Sequence, residues 1–244
     1  MRNVIVTGGS RGLGLAISSA LAQTGYRVIA LARRSTEELT SAIGAAAAAG
    51  HGAIEFRACD LIKLKEIGPF VRTLRAEVGA IYGLINNAGL GTAGVLGTMR
   101  DQDIEALVTL NTIAPLVLTK HVVRSMMSER SGRIVNISSI VAATGYSGLS
   151  VYSATKASLI GFTRSLAREL GQFDITVNAI SPGFLDTAMT HELTDAQRDQ
   201  IARRSALKRM AEPKDVARSV EFLLGEGGRN ITGTVLTVDA GNTA

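Results

Sequence analysis

A single-domain, three-layer α/β fold with a doubly wound, mostly parallel sheet of seven strands is predicted by three observations. Short apolar runs alternate with segments of helical periodicity along the 244 residues. Strands this short and apolar, separated by helices, belong to a parallel sheet covered on both faces. No Pro-, Ser- or Gly-rich linker divides the chain, and only four prolines are present.

The first strand spans residues 3–7 and leads through glycines into a helix with Leu13, Ile17, Ala20 and Leu21 at helical spacing. A second strand covers 27–31. The helix from 35 to about 49 finishes in an alanine run, alanine being a strong helix former, and closes at Gly50. Strand 54–58, helix 62–78 and strand 81–85 follow. The second half holds a long helical region over 101–128, a strand at 133–137, a helix carrying Tyr152 to about 170, and a strand at 175–180. Ser181-Pro182-Gly183 is expected to end that strand, because proline cannot extend a central ladder. Residues 184–210 read as a flap over a site, helical in places. Pro213 suits the first turn of a helix over 213–224, and 234–238 forms the final strand. Right-handed crossovers wind these elements into one sheet.

Composition narrows the function classes. Hydrophobic residues make up 46% and charged ones 19%, which opposes disorder. The chain opens on strand and turn, so no signal peptide is expected, and no uncharged apolar stretch reaches the roughly 18 residues of a membrane span. A cytoplasmic protein is expected. The single cysteine, Cys59, excludes an intrachain disulfide and reads as a buried strand residue. His51, His121 and His191 are dispersed, so no metal centre is expected. The net charge of +5 permits anionic ligands, but the basic residues form no stripe and aromatics are only 4%, which argues against nucleic acid.

Two segments carry chemistry. Tyr152 and Lys156 stand four residues apart in VYSATKASLIGF, so one helical turn places phenol and ammonium on the same face. A cation there is expected to favour the phenolate that a proton-donating tyrosine becomes, although the same spacing also suits a plain amphipathic helix wall. The turn TGGSRGLG sets Gly8, Ser10, Arg11, Gly12, Leu13 and Gly14 between the first strand and helix. Its glycines allow close backbone approach, and the helix amino end attracts a pyrophosphate, so a dinucleotide site is expected. The absence of GK[ST] rules out a phosphate-loop nucleotide hydrolase. After the second strand, ALARRS presents Arg33 and Arg34 where a carboxylate would meet a free ribose 2′-hydroxyl. Arginines there, helped by Arg11, match the extra phosphate of NADPH/NADP+; an ordinary solvent-exposed pair is the alternative.

With NNAG at 86–89, Asn111, Ser139 and the Tyr152/Lys156 pair following the glycine turn in order, the sequence resembles the short-chain dehydrogenase/reductase family over essentially its whole length. IGFTRSLAREL and NAISPGFLDTAMT are most similar to the bacterial 3-oxoacyl-acyl-carrier-protein reductases of that family. The resemblance implies a Rossmann-type domain, Ser139 orienting a substrate carbonyl, Tyr152 as proton donor, Lys156 on the nicotinamide ribose and Asn111 holding a water toward Lys156. It further implies adenine contacts from Asp60 and Leu61, adenosine support from Asn87, Ala88 and Gly89, and nicotinamide contacts from Pro182, Gly183, Leu185 and Thr187. Structural readings stand beside these: a turn cap for Asp60, a helix cap for Thr187, a loop hydrogen bond for Ser139 and a buried structural role for Asn111.

The reaction so implied is NADPH-dependent reduction of a 3-oxoacyl thioester on acyl carrier protein. Carrier docking is expected near Arg124 and Arg130, with surface solvation as the alternative, and the turn Gly171-Gln172-Phe173-Asp174 departs from the basic turn of many such reductases. A free ketone, coenzyme A thioester, polyketide or sugar substrate, or a catalytically silent scaffold, are the competing readings. The resemblance also implies a homotetramer. Phe184, Leu185, Met189, Leu193 and Ile201 are candidates for an apolar flap lining.

Overall fold

The computed structural model describes residues 1–91, 94–185 and 194–244. Seven parallel strands lie in the order β3-β2-β1-β4-β5-β6-β7. They are β1 (Asn3–Thr7), β2 (Arg27–Ala32), β3 (Ala53–Ala58), β4 (Ile81–Asn86), β5 (Gly132–Ile137), β6 (Ile175–Pro182) and β7 (Val235–Val238). The helices are α1 (Gly12–Gln23), α2 (Glu37–Ala49), α3 (Leu64–Val78), α4 (Asp101–Val108), α5 (Ala114–Glu129), the short α6 (Val141–Thr144), α7 (Ser150–Leu170), α8 (Asp195–Arg204) and α9 (Pro213–Leu224).

Because strand side chains alternate between faces, the continuous apolar runs feed two cores. Val4, Val6, Val28 and Ala30 point to the face covered by α1 and α9, where Ile17, Leu21, Val216 and Val220 are buried. Ile5, Ile29 and Leu31 point to the other face, against Val71 and Leu74 of α3, Leu118 and Val122 of α5, and Leu166 of α7. The helical run Asp101–Glu129 is long and apolar enough to cross a bilayer by length and composition. Its inner stripe instead packs on the sheet, with Leu107, Leu118, Val122 and Met126 fully buried.

Three expectations change. The 101–128 region is interrupted by a π turn at Thr109–Ile113, where the Ala114 N–H bonds the Thr109 carbonyl five residues back. Pro115 has no N–H to give the carbonyl of Asn111, so regular α-bonding fails at that point. Strand β6 continues through Pro182, which pairs with Val238. Proline is tolerated because it closes the strand: its carbonyl accepts from Ile140 N at 3.0 Å, and the N–H of Gly183 reaches the Val238 carbonyl. Cys59 falls just beyond β3 and is half-buried, with burial foremost among the causes that push its thiol up to about 11.

β1 pairs β2 on one side and β4 on the other, so the winding reverses between β1 and β4. In an open parallel sheet the crevice beyond the carboxyl ends at such a reversal is where ligands bind.

Candidate active site

The glycine turn leaves β1 at this crevice. Gly8 (φ +66°) packs so near the end of β4 that a Cβ would stand 3.1 Å from Ala88 Cα. A Cβ on Gly14 would collide with the Gly8 carbonyl oxygen and come within 2.6 Å of Asn87 Nδ2, whereas one on Gly12 would meet nothing within 4 Å. Gly14→Val is therefore expected to force α1 off the turn and destabilise the fold by ~1–3 kcal/mol, lowering Tm by roughly 3–10 °C. Thermal melting checks this, with Gly44→Ala inside α2, where a Cβ meets nothing within 4 Å and the backbone is helical, as the comparison.

The adjoining turns are stitched together by Thr7. Its Oγ1 accepts from the N–H groups of Asn87 and Ala88, both at 2.9 Å, and donates to the Ile85 carbonyl; Asn87 Nδ2 returns a bond to the Thr7 carbonyl at 2.8 Å. Ser10 is buried, while Arg11, Arg33 and Arg34 are exposed around the same end of the sheet. Asp60 caps a turn, its Oδ1 accepting from Ile62 N at 3.2 Å, and Leu61 is buried in the core beside Ile29 and Leu31.

A second group of side chains gathers at the carboxyl ends of β4, β5 and β6. Ser139 follows β5, its Oγ accepting from Val141 N at 3.4 Å, and lies close enough to influence the Tyr152 phenol. Tyr152 and Lys156 lie one turn apart near the start of α7, with Lys156 Nζ 5.7 Å from the centre of the Tyr152 ring. Lys156 is 5% exposed, and its Nζ donates to the Ile137 carbonyl at 2.9 Å. Ser138, the neighbour of Ser139, fixes the backbone there by donating to the Lys156 carbonyl at 2.8 Å. Gly89 lies against the cluster: a Cβ would stand 3.3 Å from Asn111 Oδ1 and 3.5 Å from Lys156 Nζ.

The Asn111 side chain is fully engaged. Its Oδ1 accepts from Leu90 N at 2.8 Å, and its Nδ2 donates to the Leu90 carbonyl at 2.9 Å and to Thr155 Oγ1 at 3.2 Å. Thr155 in turn donates to the Tyr152 carbonyl at 2.7 Å. This chain joins the NNAG turn to the catalytic helix through residues that motif reading passed over. A small hydroxyl residue between Tyr152 and Lys156 was the visible signal for Thr155.

Charge at the site is governed first by burial. Burial is the main influence on Tyr152 and pushes its phenol above the usual 10.0, with the Ser139 hydroxyl pulling the other way. Burial also lowers Lys156 to about 8. Burial is thus the larger influence on the phenol, while Lys156 lies over the ring with its ammonium turned to a carbonyl. A neutral phenol is the form a proton donor needs.

Pro182 and Gly183 close β6 beside the site, and a Cβ on Gly183 would lie 2.7 Å from Asp239 Cβ. Leu185 is buried and bridges to Ala211. Phe184 meets Tyr146 edge-on, ring centres 5.8 Å apart. Tyr146, from the loop between α6 and α7, was not singled out from sequence. Thr187, Met189 and Leu193 lie outside the described residues, and Ile201 is half-buried on α8. Arg124 on α5 and Arg130 at its C-terminal end are exposed. Arg130 ends α5 in a left-handed conformation (φ 49°), donates to the Gln172 carbonyl at 2.8 Å and stacks over Phe173 at 5.9 Å. Among the described residues no group of three or more His, Cys, Asp or Glu could hold a metal ion.

Residues 2–198 match the family described as short chain dehydrogenase. The chain belongs to the short-chain dehydrogenase/reductase family. Its curated relatives include carbonyl reductase family member 4 of Xenopus tropicalis, 39% identical over 236 residues, covering 97% of this chain and 95% of that protein. The 3-oxoacyl-acyl-carrier-protein reductase FabG of Escherichia coli is 37% identical over 237 residues, with 97% and 95% covered. A doubly substituted short-chain dehydrogenase/reductase of Serratia marcescens superposes with a TM-score of 0.91 at 30% identity, covering 100% of this chain and 98% of its own.

Short-chain dehydrogenase/reductases are oxidoreductases that bind a nicotinamide dinucleotide, and the residues at the switch point fit that group. The amino end of α1 has no side-chain cap and no acidic residue in its first turn, leaving its N–H groups for an anion. The glycines open the space in front of it, and the buried Lys156 ammonium supplies a donor at the opposite end of the crevice.

Proposed function

We propose that this short-chain dehydrogenase/reductase uses NADPH to reduce a 3-oxoacyl thioester to the 3-hydroxyacyl thioester. The convergence of Ser139, Tyr152 and Lys156 at the strand ends carries the reading. A bound nicotinamide supplies the hydride. Ser139 and Tyr152 hold the substrate carbonyl oxygen between their hydroxyls, and Tyr152 gives that oxygen its phenolic proton as the carbonyl carbon is reduced. Lys156 holds ribose hydroxyls and stabilises the tyrosinate left behind. The Asn111 carbonyl, which Pro115 cannot satisfy, holds a water that returns protons toward Lys156; the Asn111 side chain positions the turn instead. Arg33 and Arg34, with Arg11, receive the 2′-phosphate. The described parts of the expected 184–210 flap, residues 184–185 and α8, with a bridge from Leu185 to Ala211, are the candidate cover for the acyl chain.

The thioester and its carrier protein are supported by the names of the bacterial relatives. Net charge of +5 favours an acidic carrier, with Arg124 and Arg130 as the docking candidates on a homotetramer. A free carbonyl substrate is the second reading, favoured by the name of the Xenopus relative and by Arg130, which is already engaged with the Gln172 turn. Initial rates on acetoacetyl-carrier protein, acetoacetyl-coenzyme A and a free ketone, each with NADPH and NADH, decide between them. NADPH is expected to exceed NADH in kcat/KM by at least about tenfold, and the carrier-bound thioester to exceed the coenzyme A thioester. Equal efficiencies with both cofactors would reject the arginine assignment. Loss of the carrier advantage in Arg130→Glu supports docking, and an unchanged advantage removes that contact.

A further inference from the structure

Thr36 is the residue before α2, and its hydroxyl makes two bonds with different partners. The oxygen accepts from Leu39 N at 3.2 Å, capping the helix. The proton goes to the Ser10 carbonyl at 2.6 Å, in the glycine turn 26 residues earlier. Capping needs only an acceptor, and Asp, Asn, Ser or Gly would serve almost as well. The Ser10 link needs a donor at that spot as well. Ser10 immediately precedes Arg11, and Thr36 follows Arg33, Arg34 and Ser35. The neighbouring backbone bond from Gly9 N to the Leu31 carbonyl, 3.2 Å, fixes the two strand ends but lies on the sheet side of all three arginines.

We infer that Thr36 is a positioning residue for cofactor discrimination: it holds the Arg11 turn and the Arg33–Arg34 turn in register so that guanidinium groups from both can meet one 2′-phosphate. The inference rests on the NADPH reading above. Three exposed, flexible arginines lose conformational freedom when they converge on one anion, and fixing their backbones beforehand reduces that loss. The benefit falls on the ligand that engages the arginines. A ribose with a free 2′-hydroxyl gains little from it.

The test measures NADPH and NADH dissociation constants by nucleotide fluorescence for the wild type, Thr36→Ser, Thr36→Val and Thr36→Gly, with thermal melting of each. Ser keeps donor and cap; Val loses both; Gly keeps most of the capping preference and loses the donor. Both Val and Gly are expected to weaken NADPH about tenfold and NADH less than about threefold, while Ser stays within about twofold of wild type for both. A purely structural role would lower the melting temperature of Val and shift the two cofactors together. Equal weakening of both, or of neither, in Val and Gly overturns the positioning role. Wild type binding NADPH and NADH alike overturns the NADPH reading and this inference with it, whereas a wild-type preference that survives in Val and Gly overturns only the role of Thr36.

Discussion

Replacing Tyr152 with Phe is expected to lower kcat by about 10²–10⁴-fold while NADPH affinity stays within a few fold of the wild type, because only the donated proton is removed. The ring volume is kept, so the buried packing of α7 around Thr155 and Lys156 persists, and the backbone bond from Thr155 to the Tyr152 carbonyl does not depend on the phenol. The Ser139 hydroxyl keeps its bond from Val141 N and its place after β5. Single-turnover reduction and nucleotide fluorescence titration separate the two effects. Near-wild-type turnover would remove Tyr152 from the chemistry, and a parallel collapse of NADPH binding would make it a structural residue. Since burial holds the phenol above 10.0, the wild-type tyrosine keeps its proton through neutral pH and imposes no loss of reduction rate there.

The second large effect belongs to Lys156. Lys156→Met is expected to abolish most turnover and weaken NADPH binding while leaving Tm within roughly 5 °C of wild type. Two opposed terms explain the small change in stability. A pKa lowered from 10.5 to about 8 means that burying the ammonium costs ~3 kcal/mol, a penalty that methionine removes. The same substitution leaves the Ile137 carbonyl without its donor, which costs ~1–3 kcal/mol. The sign of the pH effect follows from the lowered value. The folded state disfavours the charged lysine, so the stability penalty is full below about pH 8 and is relieved as pH rises toward 10.5. Cofactor binding runs the other way, because it uses the ammonium: kcat/KM for NADPH is expected to fall as pH rises through about 8. A pH profile of the wild type and a melt of the variant check both. A flat profile to pH 10 would detach the ammonium from cofactor binding.

Much of this architecture was readable before any coordinates, for a physical reason. Period and turn chemistry are local, so the strands at Val4, Val28 and Ile134 and the helix closed by Gly50 fall where apolar spacing places them. The site motifs were legible as well, since Ser139, Tyr152, Lys156 and the glycine turn are brought to one end of the sheet by its topology. What escaped was non-local. Whether Pro182 breaks a strand depends on which neighbours need its N–H, and only the pairing with β7 decides that. That burial raises the phenol and that the Lys156 ammonium turns to the Ile137 carbonyl depend on how dry the site is and what surrounds it, neither of which four-residue spacing contains. The Asn111 side chain serves Leu90 and Thr155, both far from it in sequence. Leu61 and Leu185 sit in motifs that suggest contact with a cofactor, and their side chains fill the core, so any such contact falls to their main chain; a motif records position along the chain and not the face presented.

The Thr7 hydroxyl has a mechanical corollary. Its oxygen is shared by two amide hydrogens from the opposite wing of the sheet, and the sheet is wound outward from that line in both directions. Any sliding of one wing past the other must break both bonds together with the β1–β4 ladder. The seam therefore acts as a latch that ties the glycine turn to the NNAG turn, so that the two move as one piece.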